Sequence, residues 1–273
     1  MLIVALSMGI IAGFVGLVLA VVSKKYAVQI DPRVEEIQSA LPGVNCGACG
    51  FPGCSVYAEA IVNNSADVNL CAPGSSKVAS RIAEIIGVQA VFSEPHFATI
   101  ACHGDGVQER FRYEGVRTCK AASVSGLAGS FQDCSYGCLG LGSCVDVCSF
   151  GAIKIGADGL PCINELICTG CKKCMIACPR GLLRVDAESR VIFIRCSNLD
   201  KGAAAMKACS HACISCGKCV RECEFDAVHV INNIARIDYD KCKYCGKCVD
   251  VCPKHCIIDL TVERSERKKA RVF

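Results

Sequence analysis

The chain opens on an unbroken apolar run. Met1 to Ser23 reads MLIVALSMGIIAGFVGLVLAVVS and carries no charged side chain. As a helix it would span about 35 Å, enough to cross the hydrocarbon core of a bilayer. The first basic residues, Lys24 and Lys25, follow the run rather than precede it. A cleaved signal peptide has the opposite order, so the run reads as an uncleaved anchor whose C-terminal end faces the cytoplasm. Gly9, Gly13 and Gly16 fall at helical spacing. That suits close approach of another membrane helix, and is equally the ordinary glycine content of such helices. After this run the pattern becomes short-ranged. Residues 26–45 read as a linker running into a helix start. The stretch between Cys54 and Cys71 is helix-like and then turn-like. Val78, Ile82, Ile85 and Ile86 predict a packing helix within 77–92. Further on, GAIKIGADGLPCIN and DAVHVINNIARID each alternate around a turn, predicting two short hairpins.

Those hairpins belong to an internal duplication. Cys168, Cys171, Cys174 and Cys178 map onto Cys242, Cys245, Cys248 and Cys252 with an offset of 74, and Cys144 and Cys148 map onto Cys219 and Cys223 with an offset of 75. The expected fold class is α+β: a single N-terminal transmembrane helix, a small helical 4Fe–4S domain and two ferredoxin-like two-cluster units. The boundaries are an anchor at 1–25, a linker at 26–45, a CxxCxxxxC…C domain at 46–92 and a connecting segment at 93–126. The first unit follows at 127–188, a connector at 189–208, the second unit at 209–262 and a basic tail at 263–273.

Composition sharpens the picture. The chain has 273 residues, 26 of them cysteine, no Trp and only 6% aromatic residues. The chain lacks the residues for large aromatic cores, so something other than apolar burial must organise much of the fold, and metal–thiolate bonds can do that. The net charge of +4 is modest, and no basic stripe interleaved with aromatics precedes the tail, so nucleic acid is not indicated as a partner. A cytosolic setting keeps thiols reduced and removes disulfides as the main explanation of the cysteines.

Two candidates remain for the crowded thiols, zinc and iron–sulfur clusters. Structural zinc pairs two CxxC knuckles, four ligands in all. CTGCKKCMIACP and CKYCGKCVDVCP instead place three cysteines within seven residues and a fourth three residues later, before proline. In that run the fourth Cys ligates the other cluster of a pair. On this rule Cys168, Cys171 and Cys174 join Cys148, and Cys178 completes Cys134, Cys138 and Cys144. Likewise Cys242, Cys245 and Cys248 join Cys223, and Cys213, Cys216 and Cys219 join Cys252. The first motif departs from the pattern, because five residues separate Cys138 from Cys144. CGACGFPGC with a distal cysteine gives a fifth group, Cys46, Cys49, Cys54 and Cys71, for which zinc is a stronger competitor.

Six cysteines are left over. Cys102, Cys119, Cys196 and Cys209 flank the units as two pairs, and the choice for them is a sixth cluster or buried thiols. Cys162 and Cys256 read as packing residues. No catalytic residue emerges, nor any GxGxxG after a strand, GxxxxGK[ST] or HExxH. The tail ERSERKKARVF, with five basic against two acidic residues, reads as a solvated end or a docking surface for an acidic partner.

An uncleaved anchor, NCGACGFPGC with a distal Cys, and duplicated ferredoxin motifs together resemble the B subunit of the Rnf complex, in the extended form found in anaerobic bacteria. The resemblance covers essentially the whole chain. It implies an electron-transfer subunit of a translocase that oxidises reduced ferredoxin (or flavodoxin), reduces NAD and moves sodium or protons. It implies five 4Fe–4S clusters, or six with the four uncertain cysteines. Flavins, the NAD site and the ion path belong to other subunits of that family. The implied location is the cytoplasmic membrane, single-pass, with the cluster domains on the cytoplasmic side. A polyferredoxin of another membrane oxidoreductase and a zinc-bound interaction scaffold are the competing readings.

Overall fold

The computed structural model describes residues 2–25, 31–89, 94–104, 113–124, 132–261 and 264, with the side chains of 2–8, 10, 11 and 25 outside that description. The tail beyond residue 264 also lies outside it. The apolar run forms helix α1 (Leu2–Lys25), 24 residues long. Its described large apolar side chains, Phe14, Leu17, Leu19 and Val21 among them, are all exposed. Among the described residues no helix is long and apolar enough to cross a membrane. In α1 that description reaches only Gly9 and residues 12–24.

A small helical domain follows, built from α2 (Pro32–Ala40), α3 (Cys54–Val62) and α4 (Ser75–Ile86). Asp31 caps α2, its carboxylate accepting from the Arg33 N–H, and Pro32 takes the first helical position, where its missing N–H costs nothing. The core is Val34, Ile37, Tyr57, Ile61 and Ile82. The expected packing helix at 77–92 is α4, which ends at Gly87 in the left-handed conformation.

The remainder is four two-stranded antiparallel ribbons. The two predicted hairpins are present: β2 (Ile153–Ile155) pairs with β3 (Pro161–Ile163), and β6 (Val228–Ile231) pairs with β7 (Ile234–Ile237). The other two ribbons join distant segments. In the first unit β1 (His96–Ile100) pairs with β4 (Leu183–Ala187). In the second, β5 (Ile192–Ile194) pairs with β8 (Ile257–Asp259). Thus the segments at 93–126 and 189–208 each lend a strand to the unit that follows. Among the described residues there are also six short α-helices: α5 (Cys119–Val124), α6 (Ser143–Asp146), α7 (Lys173–Ala177), α8 (Ala203–Ala208), α9 (Lys218–Arg221) and α10 (Lys247–Asp250).

The units pack on each other through Phe97 and Phe193, whose rings meet edge to face at 6.2 Å. Asp186 sits beside this contact, nearly buried. It accepts from Thr99 Oγ1 at 2.6 Å and pairs with Arg190 at 2.8 Å. The Arg190 guanidinium lies 4.1 Å from the ring centre of Tyr239 in the second unit.

Candidate metal centres

Each cysteine run folds as a tight loop leading into one helical turn. The residue two before the third cysteine is left-handed in every case: Gly142, Lys172, Gly217 and Gly246. Three of these are glycine, which takes that conformation without a Cβ clash. The turn points its thiols inward, and Cys144, Cys174, Cys219 and Cys248 are all buried.

The chain crosses between the two loops of each unit. Cys148 lines one cavity with Cys168, Cys171 and Cys174, the grouping expected from spacing. Cys252 lines another with Cys213, Cys216 and Cys219, again as expected. A third cavity is lined by Cys138, Cys144 and Cys178. Its fourth thiol is Cys119, whereas Cys134, expected there from the spacing rule, is not part of the lining. Each of the three encloses about 320–400 Å³, including solvent at its mouth. In the second unit Cys248 has Cys242, Cys219 and Cys245 as its neighbouring thiols, and Cys223 packs against the same core. In the helical domain Cys71 is surrounded by Cys54, Cys46 and Cys49.

Backbone N–H groups aim at several of these sulfurs. Ala152 donates to Cys148 Sγ and Ala227 to Cys223 Sγ, both at 3.3 Å and both four residues on. Ala98 of β1 donates to Cys168 Sγ at 3.3 Å, and Tyr244 to Cys242 Sγ at 3.5 Å. The two alanines could have been found from the repeat. The Ala98 donor could not, since it reaches across from a distant strand. Asn45 was also missed: its Oδ1 accepts the Cys54 N–H at 2.8 Å and closes the loop carrying Cys46 and Cys49.

Burial makes these thiols hard to ionise in the absence of positive charge. It pushes Cys138, Cys174 and Cys248 up to about 12, and Cys71, Cys144 and Cys219 up to about 11. Neighbouring thiolates push the same way in each group. Such a donor set becomes thiolate around bound metal, which deprotonates its ligands. Cys213 and Cys252 go the other way, lowered chiefly by hydrogen bonds from Cys256, whose own thiol is held protonated. Thr169, between Cys168 and Cys171, has a buried hydroxyl with no partner among the described residues.

Among the described residues no three His, Cys, Asp or Glu side chains are gathered tightly enough to hold a metal ion. Four thiols lining one cavity and served by backbone N–H donors fit a polynuclear core with inorganic sulfide.

Comparison with known proteins agrees. A family model described as "Putative Fe-S cluster" matches residues 41–73. Models described as "4Fe-4S binding domain" match 166–181, 210–226 and 235–258. The chain is 43% identical over 252 residues to the B subunit of the Na(+)-translocating ferredoxin:NAD(+) oxidoreductase complex of Acetobacterium woodii, covering 92% of this chain and 75% of that one. It is 40% identical to the B subunit of the ion-translocating oxidoreductase complex of Methanosarcina acetivorans, covering 92% and 96%. This chain belongs to the B-subunit family of these complexes. A third member, from the proton-translocating ferredoxin:NAD(+) oxidoreductase complex of Clostridium ljungdahlii, is 41% identical and covered over 88% of its length. Shorter members, such as that of Rhodobacter capsulatus, align over 33% of this chain.

Proposed function

We propose that this chain is the iron–sulfur electron-transfer subunit of a multi-subunit, ion-translocating ferredoxin:NAD oxidoreductase. It takes electrons from reduced ferredoxin and passes them to partner subunits that reduce NAD and move sodium or protons. Near-full-length kinship with the B-subunit proteins supports the assignment to such a complex. The observation that carries the chemistry is the crossed grouping of Cys148 with Cys168, Cys171 and Cys174, and of Cys252 with Cys213, Cys216 and Cys219. That crossing belongs to paired 4Fe–4S sites rather than to zinc knuckles. When bound, the clusters supply one-electron carriers.

The residues themselves do four things. The thiols hold the clusters: Cys46, Cys49, Cys54 and Cys71 in the helical domain, and Cys148, Cys168, Cys171, Cys174, Cys213, Cys216, Cys219, Cys223, Cys242, Cys245, Cys248 and Cys252 in the repeated half. The backbone donors at Ala98, Ala152, Ala227 and Tyr244 offset negative charge on sulfur. The second unit exposes two thiols, Cys216 and Cys245, near exposed Lys218, Arg221 and Lys243 and near exposed Glu222, Glu224 and Asp226, and these two thiols are the points of approach for a donor. α1 serves as a single-pass anchor, with the cysteine-bearing domains on the cytoplasmic side. Its 24 helical residues carry no charge before Lys24.

The test uses the complete complex, prepared anaerobically. Iron and acid-labile sulfide near four of each per cluster are expected. Cys46→Ser should leave reduction of the chain by ferredoxin intact and abolish NAD reduction. Zinc without sulfide would overturn the electron-transfer reading. Full NAD reduction by the Cys46 variant would overturn the helical domain's place as the electron exit.

A further inference from the structure

The repeat, continued outward from the motifs, shows a substitution and a coincidence. The offset of 75 that relates Cys144 to Cys219 also relates Cys138 to Cys213, and Cys134 to Cys209. The residue matching Cys216 is then Leu141. So the first unit lacks the middle cysteine of its CxxCxxC run, and Cys134 is the counterpart of Cys209 rather than of any ligand in that run.

The structure supplies what Leu141 cannot. Cys119, at the start of α5, lines the cavity of Cys138, Cys144 and Cys178. Its N–H donates to Ser143 Oγ at 2.9 Å, fixing it beside Cys144. Cys119 and Cys178 are among the thiols that act on Cys144.

Cys134 keeps other company. Its neighbouring thiols are Cys102 and Cys209, and Cys196 in turn has Cys134 and Cys213 beside it. Asn198, almost wholly buried, joins two of them. Its backbone N–H faces Cys196 Sγ at 3.5 Å and its Nδ2 faces Cys134 Sγ at 3.8 Å. The four cysteines also obey the pseudo-symmetry of the duplication. Cys102 lies two residues beyond β1, whose Ile100 pairs with Leu183 of β4. Cys196 lies two residues beyond β5, whose Ile194 pairs with Ile257 of β8. The intervening residues make the same bond, Ala101 N–H to Leu182 O and Arg195 N–H to Cys256 O, both at 2.8 Å. Each copy thus contributes one cysteine after its lent strand and one four residues before its cluster motif. The two halves meet here: Ser197 Oγ donates to Ala101 O at 3.0 Å, and the rings of His103 and His211 lie 4.9 Å apart. Cys102 also neighbours Cys138, so this site adjoins that of the first unit.

We infer that Cys102, Cys134, Cys196 and Cys209 form a sixth 4Fe–4S site at the junction of the two copies, two thiols from each, and that Cys119 replaces Cys134 as a ligand with Cys138, Cys144 and Cys178. Cys119 and Cys134 exchange places relative to the spacing rule, because a ligand lost at position 141 is recruited from α5. The inference rests on the reading of the thiols as 4Fe–4S ligands. Zinc without sulfide would sink that reading, whereas iron in the wrong couplings would sink only this one.

Paired substitutions in the full-length protein, with iron and sulfide counted anaerobically, test it. The unaltered chain should hold about 24 irons, and two serines at one site should remove about four while two serines at different sites remove about eight. Cys134→Ser with Cys209→Ser should therefore leave about 20 irons, as should Cys119→Ser with Cys144→Ser. Cys134→Ser with Cys144→Ser should leave about 16. The reverse pattern, in which Cys134 couples to Cys144 and Cys119 to Cys209, would overturn the exchange. About 20 irons in the unaltered chain would overturn the sixth site. If the paired variants lose all their metal, Asn198→Ala decides by paramagnetic resonance. It should shift the signal lost in Cys209→Ser and leave the signal lost in Cys144→Ser. A shift of the latter alone would refute the assignment of Cys134.

Discussion

Cys256 offers a quantitative handle on the second unit. It is not in a cluster motif, and it is 2% exposed. Its Sγ lies 3.6 Å from Cys252 Sγ, and its thiol also bonds Cys213. Both partners are proposed ligands of one cluster, so Cys256→Ala removes from it one S–H donor that the two sulfurs share. A hydrogen bond to a charged group is worth about 1.5–3 kcal/mol, and a thiol is a weak donor, so about 1 kcal/mol is reasonable. Only the difference between oxidised and reduced cluster moves the potential. If half of that strength depends on the added electron, the single S–H gives about 0.5 kcal/mol, or about 20 mV for a one-electron couple. The sign follows from charge: the donor favours the electron-rich state, so its loss makes the potential more negative. Cys256→Ser keeps a donor and should titrate at or above the unaltered protein. The assay is a redox titration of the intact, metal-loaded protein followed by paramagnetic resonance. Alanine and serine variants titrating together, or alanine moving upward, would refute the reasoning.

Two further substitutions probe how the scaffold holds its thiols. Tyr57 Oη donates to Asp67 O at 2.7 Å and accepts the Leu70 N–H at 3.1 Å, tying the loop before Cys71 to α3. Tyr57→Phe should cost about 2 kcal/mol locally and speed iron release from the helical domain to a chelator roughly thirtyfold; an unchanged rate would remove that role. Gly170 has φ +65°, and a Cβ there would sit 2.8 Å from the His96 carbonyl oxygen. Gly170→Ala should therefore strain the Cys168–Cys171 loop by about 1–3 kcal/mol and lower occupancy of that cluster alone, measured as selective loss of its resonance signal.

What could be read from sequence was what is local. Each cysteine run closes within about ten residues, so its spacing carries its own geometry. The β2–β3 and β6–β7 hairpins announce themselves for the same reason, by alternation around a turn. β1 and β5 do not: His96 pairs with Ala187, and a five-residue strand gives no sign of a partner so distant. The same limit applies to the ligands. Cys148 and Cys252 were found because they belong to repeated motifs. Cys119 has no motif to place it, yet it lines the cavity of Cys138, Cys144 and Cys178, where the spacing rule expects Cys134. The wide gap between Cys138 and Cys144, with Leu141 where the repeat has Cys216, is the visible departure of this motif from the others.

The exposure of Cys216 and Cys245 has a cost as well as a use. A thiol exposed to solvent is open to dissolved oxidants, and susceptibility to oxidation rises with exposure. Cys174, Cys196 and Cys213 are buried. Damage by air would therefore begin at these two thiols and work inward. A chain that has met oxygen briefly would still look folded while its two exposed proposed ligands were already altered.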